Sequence, residues 1–309
     1  MLPEVRAMQG NLRCGRFSLP LDRPRVMGVL NVTPDSFSDG GRFLDRGSAL
    51  EHACRMLSDG ADIIDIGGES TRPGAAPTSE TDERDRVIPV VEALRDECDA
   101  RGVPLSVDTR KSAVMRAAIA AGASLINDVG ALMAPGAIDA IAPSEVAVCL
   151  MHMRGEPATM QQVANYNDVV GEVKAFLAGR AAVCEAAGIA RDRIVVDPGF
   201  GFGKTVGHNL ALLRWLAEIV ALGYPVAVGL SRKSTIGALT GREVGERTAG
   251  SIAAALSAVA RGAAIVRVHD VRETVDALEV WRAVEGANLC RDEGTAPMSF
   301  VVLRDLHIG

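Results

Sequence analysis

The sequence predicts an α/β fold, more specifically a single-domain (β/α)8 (TIM) barrel. Short apolar runs alternate with amphipathic helical patterns between residues 25 and 285, and no change in composition marks a linker. The chain has 309 residues, of which 48% are apolar. A closed barrel of this class commonly needs about 250 residues, so one such domain accounts for the length.

Eight runs rich in β-branched residues are predicted to be strands. Each run is apolar nearly throughout, as expected for parallel strands that are buried on both faces. The predicted strands are residues 25–30, 61–66, 104–107, 124–126, 147–151, 193–196, 225–230 and 263–268.

Helical patterns lie between these strands. Leu50, Ala53 and Leu57, for example, follow the spacing of one helix face. Regular alternation of strands and helices predicts a closed barrel, and an open doubly wound sheet is the alternative. Residues 1–24 are predicted to form an N-terminal segment that caps the bottom of the barrel, which itself spans residues 25–285. Residues 286–309 are predicted to be a C-terminal tail.

Composition excludes several classes of function. Lys and Arg number 33 against 39 Asp and Glu, which gives a net charge of −6, and aromatic residues are only 4%. Such a chain is a poor nucleic-acid binder. No apolar run approaches the roughly 18 residues that span a membrane, and the N-terminus lacks the apolar core of a signal peptide. We therefore expect a cytoplasmic protein with neither nucleic-acid nor membrane partners.

The cysteines point to the same compartment. Six occur in the chain, and no two of them form a CxxC pair. Because most fall inside helical or strand patterns, they are predicted to be buried free thiols in a reducing environment. The cysteines are Cys14, Cys54, Cys98, Cys149, Cys184 and Cys290.

Polar side chains follow the predicted strands, where a parallel barrel carries its active site. Asp108, Asn127, Asp197 and Lys233 come at or just after the ends of strands three, four, six and seven. Carboxylates accept hydrogen bonds, an amide both donates and accepts, and lysine donates. This set therefore suits a flat heterocycle with amino, ring N–H and carbonyl edges.

A second group of polar residues suggests an anion subsite at the same mouth. Asn31, Arg267 and His269 follow or end the first and last predicted strands, and Thr71 and Arg72 lie on the neighbouring loop. Arginine and histidine suit a diphosphate, and the Asn31 side-chain oxygen suits Mg²⁺.

Five longer segments resemble the signatures of the dihydropteroate synthase family, and the resemblance extends over roughly residues 11–285. They occur in the order typical of that family. The segments are residues 30–41 (LNVTPDSFSDGG), 65–74 (DIGGESTRPG), 197–204 (DPGFGFGK), 231–234 (SRKS) and 267–270 (RVHD).

The resemblance implies a transferase of folate biosynthesis, which joins 4-aminobenzoate to (7,8-dihydropterin-6-yl)methyl diphosphate and yields 7,8-dihydropteroate and diphosphate. It implies that pterin is bound by Asp108, Asn127, Met151, Asp197, Phe202, Lys233 and Arg267. It implies that diphosphate is bound by Asn31, Thr71, Arg72, Arg267 and His269. It implies that aminobenzoate is bound by Thr71, Arg72, Pro73, Ser231 and Lys233. The catalytic residues would be Asn31, Asp108, Lys233, Arg267 and His269.

The chemistry suggests a dissociative, SN1-like reaction, since a carbon attached to an electron-rich dihydropterin can lose diphosphate and leave a delocalised cation. Mg²⁺ is the expected cofactor, with Asn31 as its ligand. We hypothesise that residues 32–43 and 70–80 close to exclude water. Sulfonamides mimic 4-aminobenzoate and are therefore expected to inhibit the enzyme. The resemblance also implies a homodimer, for which the Ala-rich helical patterns at 249–261 and 273–285 are the candidate interface.

Other functions and other roles for single residues stay open at this point. The same barrel could serve a pterin-binding methyltransferase module or a pterin-binding protein without turnover. The GFGK sequence at 201–204 is either a phosphate-binding loop or an ordinary turn between a strand and a helix. His152 is expected to be a buried strand-end histidine rather than a ligand. Glu69 has no assigned role.

Overall fold

A computed structural model describes residues 10–33, 42–69, 77–155, 160 and 164–286. Its strands are β1 (Asn11–Cys14), β2 (Phe17–Pro20), β3 (Arg25–Asn31), β4 (Ile63–Gly67), β5 (Leu105–Asp108), β6 (Leu125–Asp128), β7 (Ala147–Met151), β8 (Ile194–Asp197), β9 (Ala227–Val228) and β10 (Ile265–Val268). Its α-helices are α1 (Arg42–Ser58), α2 (Glu80–Arg101), α3 (Ser112–Ala121), α4 (Ala137–Ile141), α5 (Val169–Ala186), α6 (Val206–Arg214), α7 (Leu216–Val220), α8 (Ser234–Thr240), α9 (Thr248–Val259) and α10 (Val271–Gly286).

The eight strands from β3 to β10 form one parallel sheet that closes on itself. The order of strands is β8-β7-β6-β5-β4-β3-β10-β9. The two ends of this order meet in a parallel bridge between Val196 and Val226, and the Val196 N–H donates to the Pro225 carbonyl over 2.9 Å. The predicted (β/α)8 barrel is confirmed, and the open sheet is excluded.

Several strands differ in their bounds from the prediction, for physical reasons. The seventh barrel strand was expected at 225–230, but β9 contains only Ala227 and Val228. Pro225 has no N–H to contribute to a ladder. At the other ends, pairing continues over polar residues that were expected to follow the strands, so that Asn31, Asp108 and Asp197 are the last residues of β3, β5 and β8.

Alternate residues along each strand face the barrel interior or the surrounding helices. The apolar side chains accordingly separate into a large cluster between sheet and helices and a smaller one inside the barrel. The interior cluster consists of Met27, Ile63, Leu125, Ala147, Cys149, Val195, Ala227, Ala264 and Ile265, together with Leu12, Cys14, Leu19 and Leu21.

The last four of these come from the antiparallel hairpin β1–β2 or the residue after it, so this segment packs against the bottom of the barrel interior. The Gly15 N–H also donates to the Glu145 carbonyl, ahead of β7, over 2.8 Å. The division into an N-terminal cap, a barrel and a tail stays a prediction, and residues 287–309 lie outside the described residues.

The cysteine prediction is confirmed for Cys14, Cys98, Cys149 and Cys184, which are buried and free. It is wrong for Cys54, which is free but exposed. Cys54 follows Ala53 on α1, and it is Ala53 that faces the core. Cys290 lies outside the described residues. Among the helices that the structure describes, none is both long and apolar enough to cross a membrane.

Candidate active site

The strand register brings polar residues from neighbouring strands together at the C-terminal mouth of the barrel. Asn31 lies opposite Gly67, Gly67 opposite Asp108, and Asp108 opposite Asn127. A Cβ atom on Gly67 would lie 3.6 Å from Asn31 Oδ1 and 3.7 Å from Asp108 Cβ. The glycine therefore leaves open space between these two side chains.

The centre of the mouth is an ion-pair network around Arg267 on β10. Its Nε donates to Asp65 Oδ2 over 2.6 Å, and its Nη2 donates to Asp108 Oδ2 over 2.9 Å. Burial by itself would lower the pKa of Arg267, but the Asp65 and Asp108 carboxylates outweigh it and raise the pKa. The guanidinium is thus a permanent positive charge in the mouth.

For Asp108, in contrast to Arg267, burial has a larger effect on the pKa than the neighbouring opposite charge. Burial raises its pKa to about 7, Arg267 acts against this rise, and the neighbouring Asp65 carboxylate adds to it. A carboxyl group with a pKa near neutrality can bind a ligand either as an acceptor or, when protonated, as a donor.

Asp65 is the site residue that the sequence interpretation missed. It is fully buried and accepts from Ser106 Oγ over 2.5 Å, from Asn127 Nδ2 over 3.0 Å and from Arg267. In the sequence analysis it appears only as the first residue of the 65–74 segment. A usable signal was present, because an aspartate inside an otherwise apolar strand requires buried partners.

Asp197 and Lys233 occupy the other side of the mouth. Asp197 is buried, accepts from the Gly199 N–H over 2.7 Å, and has a pKa raised by its burial. Lys233 Nζ donates to the Phe200 carbonyl and lies 4.5 Å from the centre of the Phe202 ring. Burial lowers the pKa of Lys233 to about 8, and the Asp197 carboxylate opposes this shift.

A separate apolar cluster forms one wall beside these charges. Its buried members are Val129, Met151, Met160 and Phe202. Met151 is the strand neighbour of Asp197, so the wall begins directly beside that carboxylate. Apolar faces next to a few convergent polar groups are typical of small-molecule sites, and here they suit a planar ring.

Ser231, which follows β9, and His269, which follows β10, are in contact with each other. Ser231 Oγ accepts from the His269 N–H over 3.2 Å and lies 3.1 Å from His269 Nδ1. Arg232 between Ser231 and Lys233 has a left-handed backbone with φ of 58°. Its side chain forms an ion pair with Asp270, which helps to hold this strained turn.

The mouth suits a magnesium ion that arrives with a phosphate. Within the described residues, no group of three or more His, Cys, Asp or Glu side chains could hold a metal. Asn31 provides one amide oxygen beside the open space over Gly67. Mg²⁺ commonly takes one or two protein oxygens and completes its shell with water and substrate phosphates, so a single ligand fits such an ion.

Three predicted site residues, Thr71, Arg72 and Pro73, lie outside the described residues, as do residues 34–41 and 70–76 of the two predicted lid segments. Glu69 comes just before the second segment. It accepts from the Thr78 N–H over 2.9 Å and pairs with Lys111 Nζ over 2.9 Å. Glu69 thus ties together the two ends of that segment.

For GFGK the structure favours the ordinary turn over the phosphate-binding loop, because the lysine side chain points inward. Lys204 is 2% exposed, and its ammonium contacts backbone carbonyls and the His152 ring. The expectation for His152 is confirmed, since it is a buried residue directly after β7. Burial and the charge of Lys204 lower the pKa of His152 to about 3.

The closed barrel and its polar mouth define a class of enzymes. Residues 27–269 match a family model described as pterin binding enzyme. The chain is therefore a barrel of the pterin-binding class.

The dihydropteroate synthase of Neisseria meningitidis serogroup B is 53% identical over 284 residues, covering 90% of this chain and 98% of that protein. The Xanthomonas albilineans dihydropteroate synthase, solved with 4-aminobenzoic acid, has a TM-score of 0.84 and 53% identity, covering 90% of this chain and 99% of that one. The Burkholderia cenocepacia enzyme, solved with 7,8-dihydropteroate, has a TM-score of 0.81 and 53% identity, covering 90% and 97%. The chain belongs to the dihydropteroate synthase family, which confirms the resemblance in the sequence.

Proposed function

We propose that this chain condenses 4-aminobenzoate with (7,8-dihydropterin-6-yl)methyl diphosphate to give 7,8-dihydropteroate and diphosphate. The observation that carries the proposal is the convergence of Asp108, Asn127, Asp197, Lys233 and Arg267 at one end of a closed barrel. The related enzymes solved with 4-aminobenzoic acid, one of the proposed substrates, and with 7,8-dihydropteroate, the proposed product, support this reaction.

The pterin is proposed to lie between the apolar wall and the buried polar groups. Asp197 accepts from the ring N–H and amino groups, Asn127 both donates and accepts, and Lys233 donates to a ring acceptor. Met151 and Phe202 contact the ring faces, and Arg267 lies across the ring and faces the phosphates. A planar guanidinium is suited to both contacts.

The reaction is proposed to begin with cleavage of the bond between the methylene carbon and the diphosphate oxygen, which keeps the electron pair. Arg267 and His269 stabilise the negative charge that grows on that oxygen. Asp108 and Asp197 carboxylates stabilise the positive charge that spreads over the pterin. The aniline nitrogen of 4-aminobenzoate then attacks the methylene carbon and releases a proton to solvent. No nucleophile from the protein is required.

Mg²⁺ is proposed as a cofactor that neutralises diphosphate charge when bound. Asn31 would hold it together with phosphate oxygens. Thr71 and Arg72 are proposed to bind the diphosphate as well, and Thr71, Arg72, Pro73, Ser231 and Lys233 the aminobenzoate. Since sulfonamides share the shape and charge of that substrate, competitive inhibition by sulfonamides is part of the proposal.

A homodimer is proposed through α9 and α10. Val280 and Val284 on α10 support this, because they are 67% and 60% exposed and lie one turn apart. Sedimentation analysis tests it, and a monomer at micromolar concentration would contradict it. The cytoplasmic location stays a prediction.

The function is tested by measuring diphosphate release from the pterin substrate with Mg²⁺, with and without 4-aminobenzoate. Release that depends on 4-aminobenzoate and yields dihydropteroate is the expected result. Pterin binding without such release would favour the two alternatives, a methyltransferase module or a binding protein. Transfer of a methyl group to a corrinoid partner would then identify the first of these.

A further inference from the structure

The loop between β8 and α6 is folded around the ammonium group of Lys204. Lys204 Nζ donates to the Gly199 carbonyl over 2.9 Å and to the Phe202 carbonyl over 3.0 Å. It also contacts His152 Nδ1 at 2.9 Å and the His152 carbonyl at 3.3 Å. One side chain thus joins two turns of its own loop to the residue that follows β7.

The donors and acceptors of this cluster match. Burial lowers the pKa of Lys204 to about 7, and the Asp197 carboxylate opposes this shift. An ammonium group has three protons and no acceptor, so in the protonated form of Lys204 the three shortest contacts use all of them and His152 Nδ1 is an acceptor. The histidine is then neutral with its proton on Nε2, in agreement with its lowered pKa. With 2% of its surface exposed, Lys204 cannot itself reach a substrate in the mouth.

The loop that Lys204 ties down carries part of the proposed pterin site. Phe202 belongs to the apolar wall, the Phe200 carbonyl accepts from Lys233, and the Gly199 N–H donates to Asp197. Displacement of this loop would therefore shift three groups of the site together. A second contact that holds the loop is Asn209 Oδ1, which accepts from the Gly201 N–H over 2.9 Å.

The backbone of the loop packs closely against the residues that follow β7. A Cβ atom on Gly199 would lie 1.9 Å from the His152 carbonyl oxygen, so the two backbones are in direct contact. A Cβ atom on Gly203 would lie 2.4 Å from the Arg154 carbonyl oxygen. The ammonium of Lys204 satisfies carbonyl groups at this contact, and leaving buried carbonyl groups without a donor is costly.

We propose that Lys204 is a positioning residue for the pterin site, whose ammonium fixes the β8–α6 loop so that Phe202, Lys233 and Asp197 keep their geometry. The proposal rests on the proposed function for the identity of the ligand. It assigns a role to the lysine of the GFGK segment that involves no phosphate.

The test is Lys204→Met, which keeps the length of the side chain and removes its donors. We expect the Kd for the pterin diphosphate, measured by calorimetry, and its KM to rise about 10- to 100-fold, because displacements of about 1 Å in a site have effects of this size. The KM for 4-aminobenzoate should rise less than the KM for the pterin, since Lys233 is the one proposed aminobenzoate ligand that this loop contacts.

Arg193→Met is the matched control. Arg193 is likewise 2% exposed and donates to the Val146 and Ile141 carbonyls, but it lies just before β8, at the other end of the barrel. It should lower the melting temperature and leave the pterin Kd unchanged. An equal rise of the pterin Kd in both variants would mean that Lys204 is merely structural, and would overturn the proposal.

An unchanged pterin Kd in a folded Lys204→Met variant would also overturn it. If that variant does not fold, the His152→Leu variant is the test, because it removes one acceptor of the Lys204 ammonium and leaves the lysine in place. A rise of about fivefold in the pterin Kd, the usual value of one hydrogen bond, supports the proposal, and no rise overturns it. Absence of diphosphate release by the unmodified protein would instead contradict the proposed function, and the pterin Kd would still test Lys204.

Discussion

The two ends of the barrel interior differ sharply in chemistry although they are formed by the same strands. On four strands an apolar residue at the bottom is followed, two positions later, by a buried or half-buried polar or charged residue at the mouth. The pairs are Ile63 and Asp65, Leu125 and Asn127, Val195 and Asp197, and Ile265 and Arg267. The period of two residues places both members of each pair inside the barrel.

The difference shows that stability and binding are supplied by separate layers. The bottom layer packs against the hairpin and gains free energy by removing apolar surface from water. The mouth buries charges such as Asp65 and Arg267, and burial of paired charges is often neutral or unfavourable compared with apolar packing. A chain selected only for stability would continue the apolar layer, so the polar layer is best explained by a ligand.

The largest expected effect is that of Arg267→Met. It removes the donor to Asp65 and Asp108 and the proposed contact with the leaving group, so kcat/KM should fall about 1,000-fold. Steady-state diphosphate release measures this, with circular dichroism to verify folding. A folded variant that retains full activity would remove Arg267 from the reaction.

Leu125→Ala is the corresponding change at the bottom. Leu125 is fully buried in the interior cluster, and deletion of such a side chain costs about 2–5 kcal/mol of unfolding free energy. Urea denaturation should show this loss, while kcat/KM at 25 °C stays the same. A large decrease in kcat/KM with unchanged unfolding free energy would contradict the claim that the bottom layer supplies stability and the mouth supplies binding.

The pH dependence of kcat/KM should identify Lys233. Its pKa is lowered to about 8, and only the protonated form donates to the pterin. The rate constant should therefore fall as the pH rises through about 8, approaching tenfold per pH unit. Lys233→Arg should abolish this decline, because a guanidinium stays charged. An identical alkaline decline in the variant would assign the titration to another group.

Ser231→Ala should have the smallest effect. The variant removes one neutral hydroxyl that contacts His269, which corresponds to about fivefold in the KM for 4-aminobenzoate. Both the pterin Kd and the unfolding free energy should stay unchanged. Both KM values should be measured, and a selective rise in the KM for the pterin diphosphate would contradict this prediction.

The sequence predicted the barrel and most of its mouth because both follow from local patterns. Apolar runs revealed the strands, and the polar residues at their ends, such as Asp108 and Asp197, met as parallel strands require. The prediction made β9 too long. The length of this strand depends on which residues pair with the neighbouring strands next to Pro225, and an apolar composition does not show that.

Asp65 was given no role from the sequence and the role of Lys204 stayed open, because both roles depend on distant partners. An aspartate inside an apolar strand indicates that buried partners exist, but nothing local to residues 63–67 identifies Arg267, which lies 202 positions away along the chain. Lys204 stands in a glycine-rich segment typical of phosphate binding, and only the backbone fold of residues 199–202 directs its ammonium inward.

The most direct measurement is a crystal structure of this protein with 7,8-dihydropteroate bound. The pterin ring should lie against Met151 and Phe202, with Asp197, Asn127 and Lys233 at its polar edge and Arg267 over its face. A ring bound elsewhere, or a mouth that stays filled by its own side chains at saturating ligand, would contradict the account.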